Sequence, residues 1–303
     1  VAPPLHDANL KLCHIETPIG APDGEVLTGE VFSAPNELAA AIKDAGYDGC
    51  STASNHSFDA GEEGLRDTLD ALDAQGVGHA GTARSADEDA AVTVYDVLGI
   101  HVAHLAYTFG LDDAPLPAAE SDMVSVIDPD KIGADARAAH AAGANIVVVS
   151  LHWGTDFTAE PTVAQVELAE QLSHVPEITL VIGHHAHVVQ PITKVGDLVV
   201  AYGLGNFLSD QHESECCPAE SQDGVIARFT FTETAPESGA FTVSDVAYTA
   251  TRVDLATHTI VPVNTALANP GLDDDDRDVL DASRKRTDEA IGMLGLLAHP
   301  TGT

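Results

Sequence analysis

Positive charge is what this chain has least of. Only 13 of its 303 residues are lysine or arginine, against 48 aspartates and glutamates, which leaves a formal net charge of -35. Such an acidic surface repels phosphate backbones and anionic lipid, so nucleic-acid and membrane-surface binding are disfavoured. An anionic substrate would have to be drawn by something local, such as a bound metal ion. Otherwise the acidity is a solvated surface serving solubility or salt tolerance. Long apolar runs are missing too: none approaches the ~18 residues of a membrane span, and no secretory apolar core opens the chain. The first residues, Val1-Ala2-Pro3-Pro4, include no methionine, which fits removal of an upstream piece. Cysteine is scarce, with four in all, too few for a disulfide framework at this length. Cys13 and Cys50 lie in apolar stretches and are expected to pack as small hydrophobes. Cys216-Cys217 sit in the polar segment from Asp210 to Asp223 and are expected to form an exposed pair, with a redox or accessory-metal role as the alternative.

Several motifs are also absent. Without a Cys-x-x-Cys pair, a structural zinc finger is disfavoured, and without a Gly-x-Ser-x-Gly elbow, so is Ser/His/Asp hydrolysis. Neither the dinucleotide Gly-x-Gly-x-x-Gly pattern nor the P-loop occurs; Gly203-Leu204-Gly205 lacks the third glycine.

What is present reads as an α/β protein. A strand is expected over residues 10–15. A helix follows from Pro35 to Ala45, with Ser33 as its N-cap and Gly46 as its stop. Asp48 to Ala53 leads into Ser54-Asn55-His56-Ser57. Leu65, Leu69 and Leu72 recur at helical spacing within a helix from Ala60 to Gln75. Val92 to Leu98 and Ile100 to Thr108 suggest a hairpin around Gly99, followed by a Pro/Asp/Ala-rich loop from Asp112 to Asp122. Then helices (Asp128 to Ala142, Pro161 to Leu172) alternate with continuous apolar strands (Asn145 to Leu151, Ile178 to Ile182, Leu198 to Tyr202), the mark of buried strands flanked by helices. From about residue 225 the alternation becomes two-residue, over Val225 to Thr232, Phe241 to Thr249 and His258 to Val263. This predicts a meander, closed by a tail with Asp273 to Asp276 and a helix near Asp278 to Leu296. No linker divides the chain, so one domain over 1–303 is expected, with a β-rich C-terminal part.

Chemistry gathers at strand ends, where open α/β sheets place their ligands. The apolar run ending at Ile182 is followed by Gly183-His184-His185-Ala186-His187, three imidazoles in four positions. Read alone, this is a His-rich turn or part of a metal site. Three more loops carry comparable groups: His14-Ile15-Glu16, Asn55-His56 and His152. Carboxylate, amide oxygen and imidazole together suit a mixed N/O site for one or two divalent ions such as Mn, Zn or Fe. His6, His79, His101, His104, His140, His174 and His258 lack that context and read as surface or core residues, whereas His212, near Cys216-Cys217, is the outlying one of interest.

Five stretches, in order, carry a resemblance. They are His14-Ile15-Glu16-Thr17-Pro18, Ser54 to Gly64, His152-Trp153-Gly154, Gly183 to Gln190, and Tyr202-Gly203-Leu204-Gly205-Asn206-Phe207. Together they resemble the CapA proteins, the poly-γ-glutamate capsule biosynthesis proteins of the metallophosphatase-like, calcineurin-type superfamily. The resemblance implies a four-layer α/β/β/α sandwich with a metal site at the strand ends and a cell-envelope location. It implies Glu16, Asn55, His152, His185 and His187 as metal ligands and His56 as the proton donor. His184 is an alternative to His185, and Gly205 and Asn206 form the turn beside the site. Two features depart from the family pattern. His14 stands where an asparagine is usual, and no Gly-Asp strand end precedes Leu10, so that aspartate lies upstream or the first metal position is incomplete.

Two functions follow from the resemblance. One is metal-assisted hydrolysis of a phosphoester, with amide hydrolysis in a poly-γ-glutamate-type substrate left open. The other is a non-catalytic scaffold or polymer-handling part of a capsule synthesis or export complex.

Overall fold

The structure, a computed structural model, describes residues 5, 7–21, 24, 26–27, 31–111, 122–211, 213, 216–295 and 297–301. Most of the proline-rich loop expected from Asp112 to Asp122, as well as His6 and His212, lies outside the described residues. The chain forms two compact units, essentially Pro4–His152 and Trp153–Thr303. Each is mixed α/β, as the sequence implies.

In the first unit, β1 (Leu12–His14), β2 (Gly49–Ser51) and β3 (Gly78–Ala80) pair in parallel in that order. They are linked by α1 (Glu37–Asp44) and α2 (Gly61–Gln75). Helix α2 forms where expected because Leu65, Leu69 and Leu72 share one face and are all at most 1% exposed. Gly76 ends it in the left-handed conformation that glycine takes without strain. The start of α1 differs from expectation: Asn36, not Ser33, is its N-cap. Ser33 is instead held in a backbone bridge with Leu27. After the short helix α3 (Ala86–Asp89), β4 (Thr93–Val97) and β5 (Ile100–Thr108) make the expected hairpin. Leu98 and Gly99, both at positive φ, form its turn. Helix α4 (Pro129–Ala141) carries the chain to β6 (Ile146–Trp153), which pairs in parallel with β5. Asp128 caps α4 by accepting from the Asp130 and Lys131 amides at 2.9 and 3.3 Å. Every residue of β6 is buried, which is why its sequence is continuously apolar instead of alternating.

In the second unit, α5 (Val163–Ser173) starts at a reciprocal capping box between Thr162 and Gln165. Strand β7 (Leu180–His185) pairs in parallel with β9 (Leu198–Ala201), and β8 (Ile192–Val195) runs antiparallel to β9. The expected meander is present as β10 (Asp223–Glu233), β11 (Phe241–Asp254) and β12 (Thr259–Pro262). It is followed by α6 (Val263–Leu267), α7 (Asp274–Gly292) and β13 (His299–Pro300), which pairs in parallel with β11. The acidic run at 273–276, read as tail, is the start of α7. Asp273 caps it, and three aspartates follow in the first turn, where the positive end of the helix dipole favours them. Beneath α7, the Asp223 carboxylate is buried between Arg252 Nη1 at 2.6 Å, Arg286 Nε at 2.8 Å and Ser283 Oγ at 2.7 Å. This arrangement joins β10, β11 and the helix. Among the described residues no helix is long and apolar enough to cross a membrane.

Cys13 and Cys50 pack in the core as expected, with a bond the sequence did not predict, and the expectation for Cys216-Cys217 is corrected. Cys13 and Cys50 are register partners on adjacent parallel strands with Cα atoms 4.3 Å apart, and they form a disulfide. Parallel register places two side chains on the same face at bonding range, which their separation in sequence hides. Cys216 and Cys217 are also disulfide-bonded, and Cys217 is buried, so they are not a freely exposed pair.

One core histidine has a consequence for acid stability. His104 on β5 is 1% exposed; its Nε2 meets Ser150 Oγ at 2.9 Å, and its Nδ1 has no partner. Burial disfavours the imidazolium and pushes the pKa from 6.5 down to about 4. The unfolded chain therefore binds the extra proton first. The stability this neutral ring contributes is full above about pH 6.5, falls as pH drops toward 4, and changes no further below that. His104→Gln keeps a donor toward Ser150 without a titrating group. Denaturant midpoints measured from pH 7 to pH 4 should fall less in the variant, by on the order of 2–3 kcal/mol across the window. Parallel wild-type and variant curves would remove His104 from the acid response.

Candidate functional site

In the first unit, three strand ends bring four of the expected residues together. His14 closes β1, Asn55 follows β2, and His152 lies near the end of β6. His152 is 1% exposed, with Nδ1 3.0 Å from His14 Nε2 and Nε2 2.6 Å from Asn55 Oδ1. Glu16 Oε1 lies 4.0 Å from the same Nε2. His14 Nδ1 is in turn 2.9 Å from Ser51 Oγ on β2. Because Asn55 Oδ1 only accepts, His152 donates through Nε2 when no ion is present, His14 donates to His152, and Ser51 donates to His14. A buried imidazole, an amide oxygen and a carboxylate thus converge on one point. That is a donor set a divalent ion accepts without rearrangement of the backbone.

The turn after β2 positions His56. Ser54 Oγ donates to the Glu16 carbonyl at 2.5 Å and accepts from the His56 amide at 3.1 Å, joining the two loops. His56 Nδ1 lies 2.9 Å from Asp59 Oδ2. The carboxylate fixes the tautomer with the proton on Nδ1 and makes Nε2 the acid–base atom. Sequence reasoning gave Asp59 no role, although an acid three residues after a histidine in a tight turn was available to see. Phe109, after β5, stacks its ring on His152 with centroids 6.2 Å apart.

In the second unit, β7 ends at His185, and Ala186 and His187 continue the turn. His187 Nδ1 is 3.0 Å from Asn206 Oδ1. The Asn206 amide nitrogen is committed to Gln211 Oε1 at 2.9 Å and the Ser221 carbonyl at 2.8 Å. Its oxygen must therefore face the imidazole, which puts the His187 lone pair on Nε2, the orienting role that partners of metal-bound histidines play. His185 Nε2 lies 3.3 Å from Asp156 Oδ1, an acid the sequence did not single out. His184 is half-buried inside β7, one residue earlier. His185, His187 and the neighbouring Phe157 all have positive φ, at 92°, 58° and 57°. Such conformations are uncommon for residues other than glycine and gather at functional sites. The Phe157 amide donates to the Ala186 carbonyl at 2.8 Å and holds the turn. Gly183 is required because any side-chain carbon there would collide with the Tyr202 carbonyl and the Trp153 indole nitrogen. Glu16 in the first unit and His185 and His187 in the second each present a ligand atom of the kind divalent ions take.

The sequence profile of the family described as Bacterial capsule synthesis protein PGA_cap matches residues 1–211. The capsule biosynthesis protein CapA of Bacillus anthracis is 29% identical over 59% of this chain and 44% of its own length. The PGA biosynthesis protein CapA of Bacillus subtilis is 30% identical over 58% of this chain and 46% of its own. The chain thus spans less than half the length of these curated relatives. Among solved structures, the calcineurin-like phosphoesterase YfkN of Bacillus subtilis superposes with a TM-score of 0.42 at 13% identity, covering 83% of this chain and 72% of that one.

Proposed function

The chain belongs to the PGA_cap family of bacterial capsule synthesis proteins, and from that premise we propose that it is a metal-dependent hydrolase of a phosphoester, acting in poly-γ-glutamate capsule synthesis. The observation that carries the reading is the convergence of His152 with Asn55 and Glu16, a polar cluster around a fully buried imidazole. A neutral imidazole needs one partner on each nitrogen, which His14 and Asn55 supply; the Glu16 carboxylate beside Nε2 is a further group of the kind a cation attracts.

In this reading Glu16, Asn55, His152, His185 and His187 hold one or two divalent ions, Mn, Zn or Fe. When bound, such an ion lowers the pKa of a coordinated water toward ~7 and polarises a phosphoryl oxygen. The rest of the chemistry falls to the chain's own side chains. His56, oriented by Asp59, gives a proton to the departing oxygen through Nε2. Asn206 holds His187 in its ligating tautomer, and ligation through His152 Nε2 requires the His152 proton on Nδ1, where His14 Nε2 then accepts it. Phe109 covers the His152 ring and limits water access to it.

Metal content and hydrolysis of a simple aryl phosphate, measured on the same preparation, test the reading. The expected result is close to stoichiometric metal after loading with Mn, Zn or Fe, hydrolysis that chelation abolishes, and recovery on adding metal back. Bound metal with no hydrolysis would favour a non-catalytic component of a capsule synthesis complex, the role to which the family's name, which specifies synthesis, is the better match. Failure to bind metal overturns both the site and the activity.

A further inference from the structure

Asp59 Oδ2 receives a second donor. The Phe32 amide lies 2.9 Å from that oxygen, the same distance as His56 Nδ1. The Phe32 ring then meets the His56 imidazole edge-on, with centroids 4.9 Å apart and planes at 86°. One residue therefore touches both members of the His–Asp pair, with its backbone on the carboxylate and its ring on the imidazole.

The backbone just after Phe32 is fixed by two other segments. Ser33 exchanges two hydrogen bonds with Leu27, at 3.1 and 3.2 Å. Ala34 donates to the Pro18 carbonyl at 2.7 Å and accepts from Gly20 at 2.8 Å. The strap is thus stitched to the segment that follows Glu16. Two donors on one carboxylate oxygen occupy both its in-plane lone-pair directions, so Asp59 cannot turn without breaking one of them. The Phe32 edge closes the remaining freedom of the imidazole, because rotation of that ring would drive it into the phenyl group.

We propose that Phe32 is a positioning residue for His56: it holds the His–Asp pair in the one orientation that aims Nε2 at the departing oxygen. This inference rests on the proposed hydrolysis for its kinetic arm only. Catalysis is sensitive to such aiming, and a misplacement of about 1 Å can cost on the order of a hundredfold in rate.

The test compares Phe32→Ala with Phe32→Tyr, using the metal-loaded protein and the aryl phosphate. Phe32→Ala should lower kcat by tenfold or more (about 10–100-fold) while KM stays within about twofold and metal content is unchanged. Phe32→Tyr, which keeps the ring edge that Phe32→Ala removes, should restore most of the rate; both variants keep the backbone amide. Nitrogen-15 spectra of the histidine rings supply a readout that needs no activity. Wild type and Phe32→Tyr should show His56 as a rigid Nδ1–H ring, and Phe32→Ala, which keeps the Asp59 bond but loses the ring contact, should show the same tautomer with shifted and exchange-broadened ring signals. Unchanged His56 spectra in Phe32→Ala, or a rise in KM with kcat intact, would overturn the proposal. A wild-type protein that hydrolyses nothing but shows the expected spectra would defeat the hydrolase reading and leave the positioning role standing.

Discussion

On the proposed metal reading, replacing His187 with alanine should abolish divalent-metal binding. His187 is the cleanest ligand to remove. His152 is buried and joined to His14 and Asn55, so its loss would also open a cavity and orphan two polar groups. His187 is half-buried and bonds Asn206, which on losing it retains Gln211 and the Ser221 carbonyl. Circular dichroism should therefore be unchanged while metal affinity falls by more than about a hundredfold, since even partners that only orient a ligand are worth 10–100-fold. Calorimetric titration and metal analysis after dialysis measure the loss. Wild-type stoichiometry retained in His187→Ala would exclude this residue from the site. Asn206→Ala, which removes only the orienting contact, should lie between the two.

The second large effect separates binding from chemistry. His56→Ala should leave metal content unchanged and lower kcat on an aryl phosphate by about a hundredfold to ten-thousandfold, the range for a lost general acid. Asp59→Asn should cost less, because the amide still occupies the position but no longer dictates which nitrogen of His56 carries the proton. A leaving group that needs no proton, such as a nitrophenolate, should narrow the His56→Ala deficit. If the deficit is identical for good and poor leaving groups, His56 is not the proton donor.

The helices and strands were legible because their physics is local. Leu65, Leu69 and Leu72 declare α2 by spacing, and the continuous apolar run of β6 declares a strand buried on both faces. The short strands β3 and β8 were not legible: three or four residues carry too little periodicity, and their pairing depends on distant partners. The same limit hid the Cys13–Cys50 bond, which needs the register of two strands 37 residues apart. Of the residues proposed for the site, Glu16, Asn55, His56, His152, His185 and His187 could be named from strand ends and motif order. Asp59, Asp156 and Phe32 could not, because each acts through a contact that the folded turn creates. The acidic run at 273–276 misled for a related reason. Charge alone reads as solvated tail, and only the cap formed by Asp273 marks it as the first turn of a helix.

The left-handed backbone at His185 and His187 sets a limit on how this protein can be improved. Residues held in such conformations cost on the order of 1–3 kcal/mol each, and glycine is the one replacement that relieves the strain without a new side chain. At both positions glycine would delete the imidazole. Selection for thermostability, in the laboratory or in nature, should therefore pass over the turn at 185–187 and accumulate changes elsewhere. A thermally hardened variant in which glycine appears at either position would be expected to have gained its stability at the expense of the proposed metal binding.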